Sequence, residues 1–213
     1  MIEIQECDTT YDNIGRIYKT PLGSYYSVTT MLSNSSEKEF LQDWKERIGE
    51  EEAAKQTRVA SHLGTNFHEL GEAYLLKQPM PKVQWKAKYL FDRAIPILKE
   101  HVTKVHAVEI PLWSEILQLA GRTDAVLDWD NELCVFDFKC IGHHNEKWLT
   151  DYWIQTEAYG VCLKEMYGVD IKKLVLLCAN KKTLKVKAFT IKPKKHYIDL
   201  RDRIIKFRKF LRT

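Results

Sequence analysis

Asp124, Asp137 and Lys139 stand in the stretch GRTDAVLDWDNELCVFDFKC, residues 121–140, where apolar residues would be expected. The stretch otherwise reads as two strands, 117–129 and 132–140, joined by a tight turn. Residues two apart on a strand share a face, so Asp137 and Lys139 point the same way, together with Leu133 and Val135. With Asp130-Asn131 as a two-residue loop, Trp129 pairs with Glu132 and Asp124 falls opposite Asp137. Both loop residues tolerate the positive φ that such a turn needs. A loop at Asn131-Glu132 sets Asp124 opposite Lys139 instead, and a three-residue loop breaks the arrangement. In either two-residue case the three polar groups share one face. Facing carboxylates cost roughly 0.2–1 kcal/mol when exposed, and more as water is excluded. Lys139 offsets part of this. A hard divalent cation, Mg²⁺ or Mn²⁺, offsets more. A surface salt-bridge cluster is the alternative reading of the same spacing.

Other chemistries find less support. HELGE, 68–72, invites a zinc-protease reading, but that motif needs a second His where Glu72 stands. His62, His101, His106, His143, His144 and His196 match no motif. The five cysteines, Cys7, Cys134, Cys140, Cys162 and Cys178, are scattered and include no CxxC. This pattern argues for reduced, packed thiols rather than a zinc or iron–sulfur site. There is no glycine-rich phosphate loop and no GxSxG elbow.

The elements that must position these residues follow from periodicity and punctuation. Residues 14–28 read as short strands around Pro21-Leu22-Gly23, and Ser27, Thr29 and Thr30 can cap a helix. A helix is expected over 37–49. A longer one, about 50–77, has Val59, Leu63, Phe67, Leu70 and Tyr74 as its apolar stripe. Gly64, one turn before His68, would let another backbone approach. Residues 84–102 continue the helical pattern with an interruption at Pro96. VHAVEIPLW (105–113) precedes the acidic hairpin as a further strand. After it come a helix over 150–168, a hairpin of 173–179 with 184–191, and a basic amphipathic helix, about 194–212.

The chain has 213 residues, 45% of them hydrophobic and 29% charged, which fits one packed domain. No apolar run is long enough to span a bilayer. The polar, acidic start MIEIQECDTTYDN reads as neither signal peptide nor transit segment, so a cytoplasmic protein of a bacterium, archaeon or phage-infected cell is expected. The net charge of +4 conceals an asymmetry. Residues 172–213 hold fifteen Lys or Arg against two Asp, a net +13, which leaves −9 on residues 1–171. A basic end on an acidic body suits a polyanion, which for a cytosolic protein is usually nucleic acid; a solvated helix face with Lys-rich turns is the alternative reading. Trp44, Trp85, Trp148 and Trp153 permit base stacking, though most of them read as core, and the sequence does not choose among them.

Gly-x-x-Asp, followed thirteen residues on by Asp-x-Lys at a strand end, resembles the PD-(D/E)XK nuclease core. GTNFHELGE (64–72) resembles the helical His motif of the RecB-like exonucleases in that superfamily. VEI (108–110) resembles their upstream Glu strand, and QTEAYG (155–160) their Gln-x-x-x-Tyr helix. YSVTTMLS (26–33) resembles the Ser-Val-Thr segment of the mitochondrial genome maintenance exonucleases and their phage and bacterial relatives. Each is weak alone, but the five stand in family order from about residue 25 to 160.

The resemblance implies an α/β fold of the restriction-endonuclease-like PD-(D/E)XK kind, with a mixed central sheet flanked by helices. One domain over 1–213 is expected. Its N-terminal helical part, about 25–102, would carry His68 and wall a channel over the site. A catalytic sheet core would span about 105–191, ahead of the basic helix. The resemblance further implies Asp124, Asp137, His68 and the Phe138 carbonyl as ligands of one or two Mg²⁺ or Mn²⁺ ions. Lys139 would orient or activate the attacking water. Gln155 and Tyr159, on one helix face, would hold the lysine region or the DNA backbone. Glu109 matches more loosely as a catalytic residue, and Ser27, Thr29, Thr30 and Arg122 would touch DNA. The implied function is a metal-dependent DNA exonuclease acting on single strands or free ends, in replication, recombination or repair. A structure-selective endonuclease is the rival enzyme, and a non-catalytic nucleic-acid-binding protein the rival of another class.

Overall fold

The computed structural model describes residues 4–36, 39–142 and 149–213, without the side chains of 39–42 and 44. Glu37, Lys38, His143, His144 and Trp148 lie outside the described residues, as does the side chain of Trp44. Among the described residues, eight strands form one mixed sheet. They are β1 (Asp8–Tyr11), β2 (Arg16–Thr20), β3 (Gly23–Ser27), β4 (Val102–Ser114), β5 (Leu119–Trp129), β6 (Glu132–Ile141), β7 (Lys173–Asn180) and β8 (Val186–Ile191). The helices are α1 (Val28–Ser35), α2 (Glu39–Ile48), α3 (Glu50–Leu75), α4 (Trp85–His101), α5 (Thr150–Tyr167) and α6 (Tyr197–Phe210). No helix among the described residues is long and apolar enough to cross a membrane.

β5 organises the sheet. Along one edge it pairs antiparallel with β4 from Trp129 back to Leu119. Its other edge is shared: Leu119 and Ala120 pair parallel with Tyr26 and Ser27 of β3. Ala125–Trp129 pair antiparallel with β6. Residues 121–124 thus lie in a fork between two neighbours. β6 continues beyond the fork, pairing parallel with β7, and β8 closes that side antiparallel.

Helices cover both faces, which is why β7 reads KLVLLCAN, apolar almost without a break. On one face α3 and α4 bury Phe67, Leu70, Phe91 and Leu98 against Phe136, Phe138 and Leu177. On the other, α1, α5 and α6 bury Met31, Ile154, Leu163 and Phe207 against Val126, Val135 and Leu176. The mixed sheet with flanking helices is the architecture expected. Ser27 caps α1, its Oγ accepting from Thr30 N at 2.9 Å. α5 ends on Gly168, whose φ of +68° suits glycine. Arg203 of α6 fastens α1, donating to Leu32 O and Ser35 Oγ at 2.8 Å, and reaches Asp151 of α5 at 3.2 Å.

Three local expectations need correction, and one strand was not foreseen. Pro96 lies within α4 without interrupting it; it sits on the exposed face, where water can take the carbonyl bond its ring forfeits. Val59 is 60% exposed, so the buried stripe of α3 begins at Leu63. A Cβ on Gly64 would meet nothing within 4 Å, whereas one on Gly71 would overlap the Phe138 ring; the close approach is therefore at Gly71. Finally, β1 is an added strand, polar and mostly exposed, without the apolar alternation that would mark it.

Candidate active site

The acidic hairpin turns on Asp130 and Asn131, both at positive φ (+52° and +63°). Of the registers open to the sequence, the structure takes the one pairing Trp129 with Glu132. The ladder runs back to Ala125–Phe136 and ends there, one step short of Asp124 and Asp137. Instead of a ladder bond, the Phe138 N–H donates to Asp124 Oδ2 at 2.7 Å. The two strands therefore part where the two acids stand. β6 stays anchored to β7 through Asp137–Leu176 and Lys139–Cys178. Asp137 is 1% exposed, and the Lys139 ammonium abuts its carboxylate. Apart from that contact, Asp137 Oδ2 is enclosed without a hydrogen-bond partner. The Lys139 Nζ also lies 5.2 Å from the Tyr152 ring centroid.

His68 reaches the same point from α3, with Nδ1 3.2 Å from Asp124 Oδ2. The reason is local. Phe67 locks into the core edge-on to Phe91 and Phe138, and Gly71 lets the Phe138 ring close against the helix. The next residue after Phe67 is thereby aimed at the fork. From α5, Gln155 Nε2 donates to the Tyr159 hydroxyl at 3.1 Å, and the Tyr159 ring covers Gly121, where a Cβ would collide with it. Gln155 and Tyr159 are buried, close to the acids rather than on solvent.

Glu109 lies on β4 with φ +52°, rare for a non-glycine residue within a strand. Arg122 donates to the Glu109 carbonyl at 2.5 Å and pairs with Glu6 at 3.0 Å, so it is held at the β4 side of the fork. Ser27 and Thr30 are buried in capping: Ser27 Oγ serves Thr30, and Thr30 Oγ1 accepts from Arg16 N at 3.0 Å. Thr29 alone of the three is exposed. Tyr152 and Glu72 belong to this neighbourhood and escaped the sequence reading. Each lies one helical turn from a recognised residue (Gln155, His68), and that spacing was the available signal.

The electrostatics follow from burial of like charges. Burial and then the Asp124 charge push Asp137 up to about 6. Burial, then Asp124 and Glu72, push Glu109 up to about 7. Burial opposes ionisation of Asp124 too, but His68, Lys139 and the Phe138 N–H outweigh it and hold Asp124 below the usual carboxylate range. Burial pulls His68 and Lys139 down, yet the neighbouring aspartates win and both are raised. Lys139 is therefore an ammonium at neutral pH. Two of the three acids resist ionising near neutrality, so the site is short of positive charge.

That shortage suits a hard cation, and the donors on hand are oxygens. Among the described residues, however, no three His, Cys, Asp or Glu side chains are gathered to hold a metal ion. The Lys139 ammonium occupies the Asp137 side and His68 leans on Asp124. The donor chemistry fits, with the Lys139 ammonium standing where a cation on Asp137 would sit.

No family model matches the chain. Residues of this chain are 30% identical over 131 positions to mitochondrial genome maintenance exonuclease 1 of Mus musculus, covering 57% of this chain and 39% of that protein. The Homo sapiens protein of the same name is 32% identical over 124 positions, covering 53% and 36%. The matches thus span less than two-fifths of the length of these relatives. Among solved structures, one from Eubacterium rectale bearing an exonuclease's name superposes with a TM-score of 0.48 at 9% identity, over 70% of this chain and 66% of that one. The two sequence relatives bear out the resemblance to a nuclease family.

Proposed function

We propose that this protein is a Mg²⁺- or Mn²⁺-dependent nuclease of the PD-(D/E)XK, RecB-like kind that hydrolyses DNA from free ends, single strands above all. The observation that carries the reading is the fork between β5 and β6, which brings Asp124, Asp137 and Lys139 together in a nearly enclosed place. A purely structural role explains such a grouping poorly, because burying like charges opposes folding. Free ends, rather than internal cuts, are favoured by the names of the sequence relatives.

Bound there, the cation would supply a Lewis acid and a more acidic water. The residues have separable tasks. Asp124, Asp137, His68 and the Phe138 carbonyl would hold the cation. With Asp137 so engaged, the Lys139 ammonium beside it would face the scissile phosphate, where its charge would orient or activate the attacking water and offset the developing negative charge. Glu109, near 7, is poised to exchange a proton at neutral pH. Tyr159 and Gln155 keep the floor of the fork closed over Gly121. Lys181 and Lys182, whose side chains come within about 4 Å of a Cβ built on Gly142 at the end of β6, begin the basic surface that would track the phosphates.

The test uses end-labelled linear single-stranded DNA and the same sequence closed into a circle, with Mg²⁺, Mn²⁺ or EDTA, beside Lys139→Ala. Metal-dependent loss of the linear strand alone, absent in the variant, supports the exonuclease. Cutting of the circle replaces it with an endonuclease using the same fork. Tight binding with no cutting under any metal replaces both with a binding protein.

A further inference from the structure

α4 carries a surface that the fork does not use. Trp85 is 72% exposed and Tyr89, one turn on, 37%. Their rings stand edge to face with centroids 6.4 Å apart. Arg93, a further turn on, lies with its guanidinium 3.7 Å from the Tyr89 ring centroid. The spacing of four places all three on one face of the helix, about 6 Å apart along its axis. A lone exposed ring is ordinary, but Trp85, Tyr89 and Arg93 adjoin, and a contiguous exposed aromatic surface marks an interaction site.

The surroundings say which partner. Residues 78–95 carry Lys82, Lys86, Lys88 and Arg93 against one acid, Asp92, although residues 1–171 as a whole are acidic. Asp92 is engaged by Lys88 at 2.9 Å, and no described carboxylate pairs with Lys82, Lys86 or Arg93. Aromatic faces among unpaired cations suit a polyanion with flat, apolar bases. A duplex keeps its base faces stacked inside; a single strand presents them. The stripe is also fixed relative to the fork. The Gln84 N–H donates to Asn66 Oδ1 at 3.4 Å, tying the start of α4 to α3 two residues before His68, and Phe91 packs on Phe67 just below.

We infer that Trp85, Tyr89 and Arg93 form a stacking platform for the bases of single-stranded nucleic acid beside the fork. Trp85 offers an open ring to one base, and Arg93, steadied on Tyr89, offers its charge to the adjoining phosphate. The inference rests on the nucleic-acid reading above but not on cleavage.

The test is fluorescence anisotropy in EDTA, where no cutting occurs, with fluorescein-labelled oligo(dT) of about a dozen nucleotides and an abasic strand of equal length. Trp85→Ala should weaken oligo(dT) binding about tenfold and leave the abasic strand within about twofold, with Trp85→Phe retaining most of the affinity. Because Trp85 is exposed, the variants should keep the wild-type circular dichroism. Equal binding of oligo(dT) by wild type and Trp85→Ala overturns the platform and leaves that face to a protein partner. Equal loss on both strands also overturns it, since stacking cannot be the cause. Failure of the wild type to bind either strand removes the nucleic-acid reading itself, and the platform with it.

Discussion

Replacing Asp137 by Asn should stabilise the fold while destroying the proposed activity, and the size of the gain should depend on pH. The folded protein holds Asp137 at about 6 against an ordinary value of 3.8. A folded carboxyl with a raised pKa binds protons that the unfolded chain releases, so stability falls as pH rises from about 4 through 6. Above pH 7 the full shift of about two units applies, a penalty of about 3 kcal/mol; at pH 5 only about half of it has developed. Asparagine is neutral throughout and escapes the penalty, while Lys139 keeps Asp124 as a counter-ion. Urea unfolding at pH 5 and pH 8 should therefore show Asp137→Asn more stable at both, with roughly twice the advantage at pH 8. Adding Mg²⁺ at pH 8 should narrow the gap by stabilising the wild type alone. A variant less stable than wild type at pH 8, or an advantage that does not grow with pH, would refute the claim that like-charge burial dominates this site.

Three further outcomes follow from the same geometry. Gly71→Ala should cost about 1–3 kcal/mol through collision with the Phe138 ring, whereas Gly64→Ala, with nothing within 4 Å, should gain about 0.5–1 kcal/mol; urea midpoints compare them directly. Cleavage should rise between about pH 5.5 and 8, as Asp137 and Glu109 ionise, and higher Mg²⁺ should move the Asp137 part of that rise to lower pH; a flat profile would exclude Asp137 from cation binding and Glu109 from proton exchange. DNA binding should weaken about tenfold or more from 50 to 200 mM salt, and Lys181→Gln with Lys182→Gln should flatten the slope of log affinity on log salt by about one to two.

The hairpin was legible because its turn is local: Asp130-Asn131 suits positive φ at both positions, and only the choice between this loop and its neighbours, which sets every pair up to the fork, needed the structure. The fork itself was not, since its other wall is β3, which meets β5 through Tyr26–Leu119 and Ser27–Ala120, far apart in the chain. His68 could be picked out by its motif, but the glycine that seats it could not be told from its neighbour. Gly64 and Gly71 look alike in a helical pattern, and only the ring facing Gly71 distinguishes them. Tyr152 was overlooked because an aromatic on a helix reads as core unless the lysine across from it is known. Val59 and Pro96 failed for a common reason: periodicity says which residues share a face but not how far the neighbouring layer extends over it.

The fastening of α6 to α1 by Arg203 bears on the order in which the chain can assemble. The β5–β6 turn closes a two-residue loop, at little entropic cost, and is available as soon as it is made. β3 must wait for β5, and α1 must wait for α6, some 170 residues further on. Contacts of such separation come late and are slow to form. The fork is thus built from an early half, the hairpin with its two acids, and a late half, the β3–α1 wall.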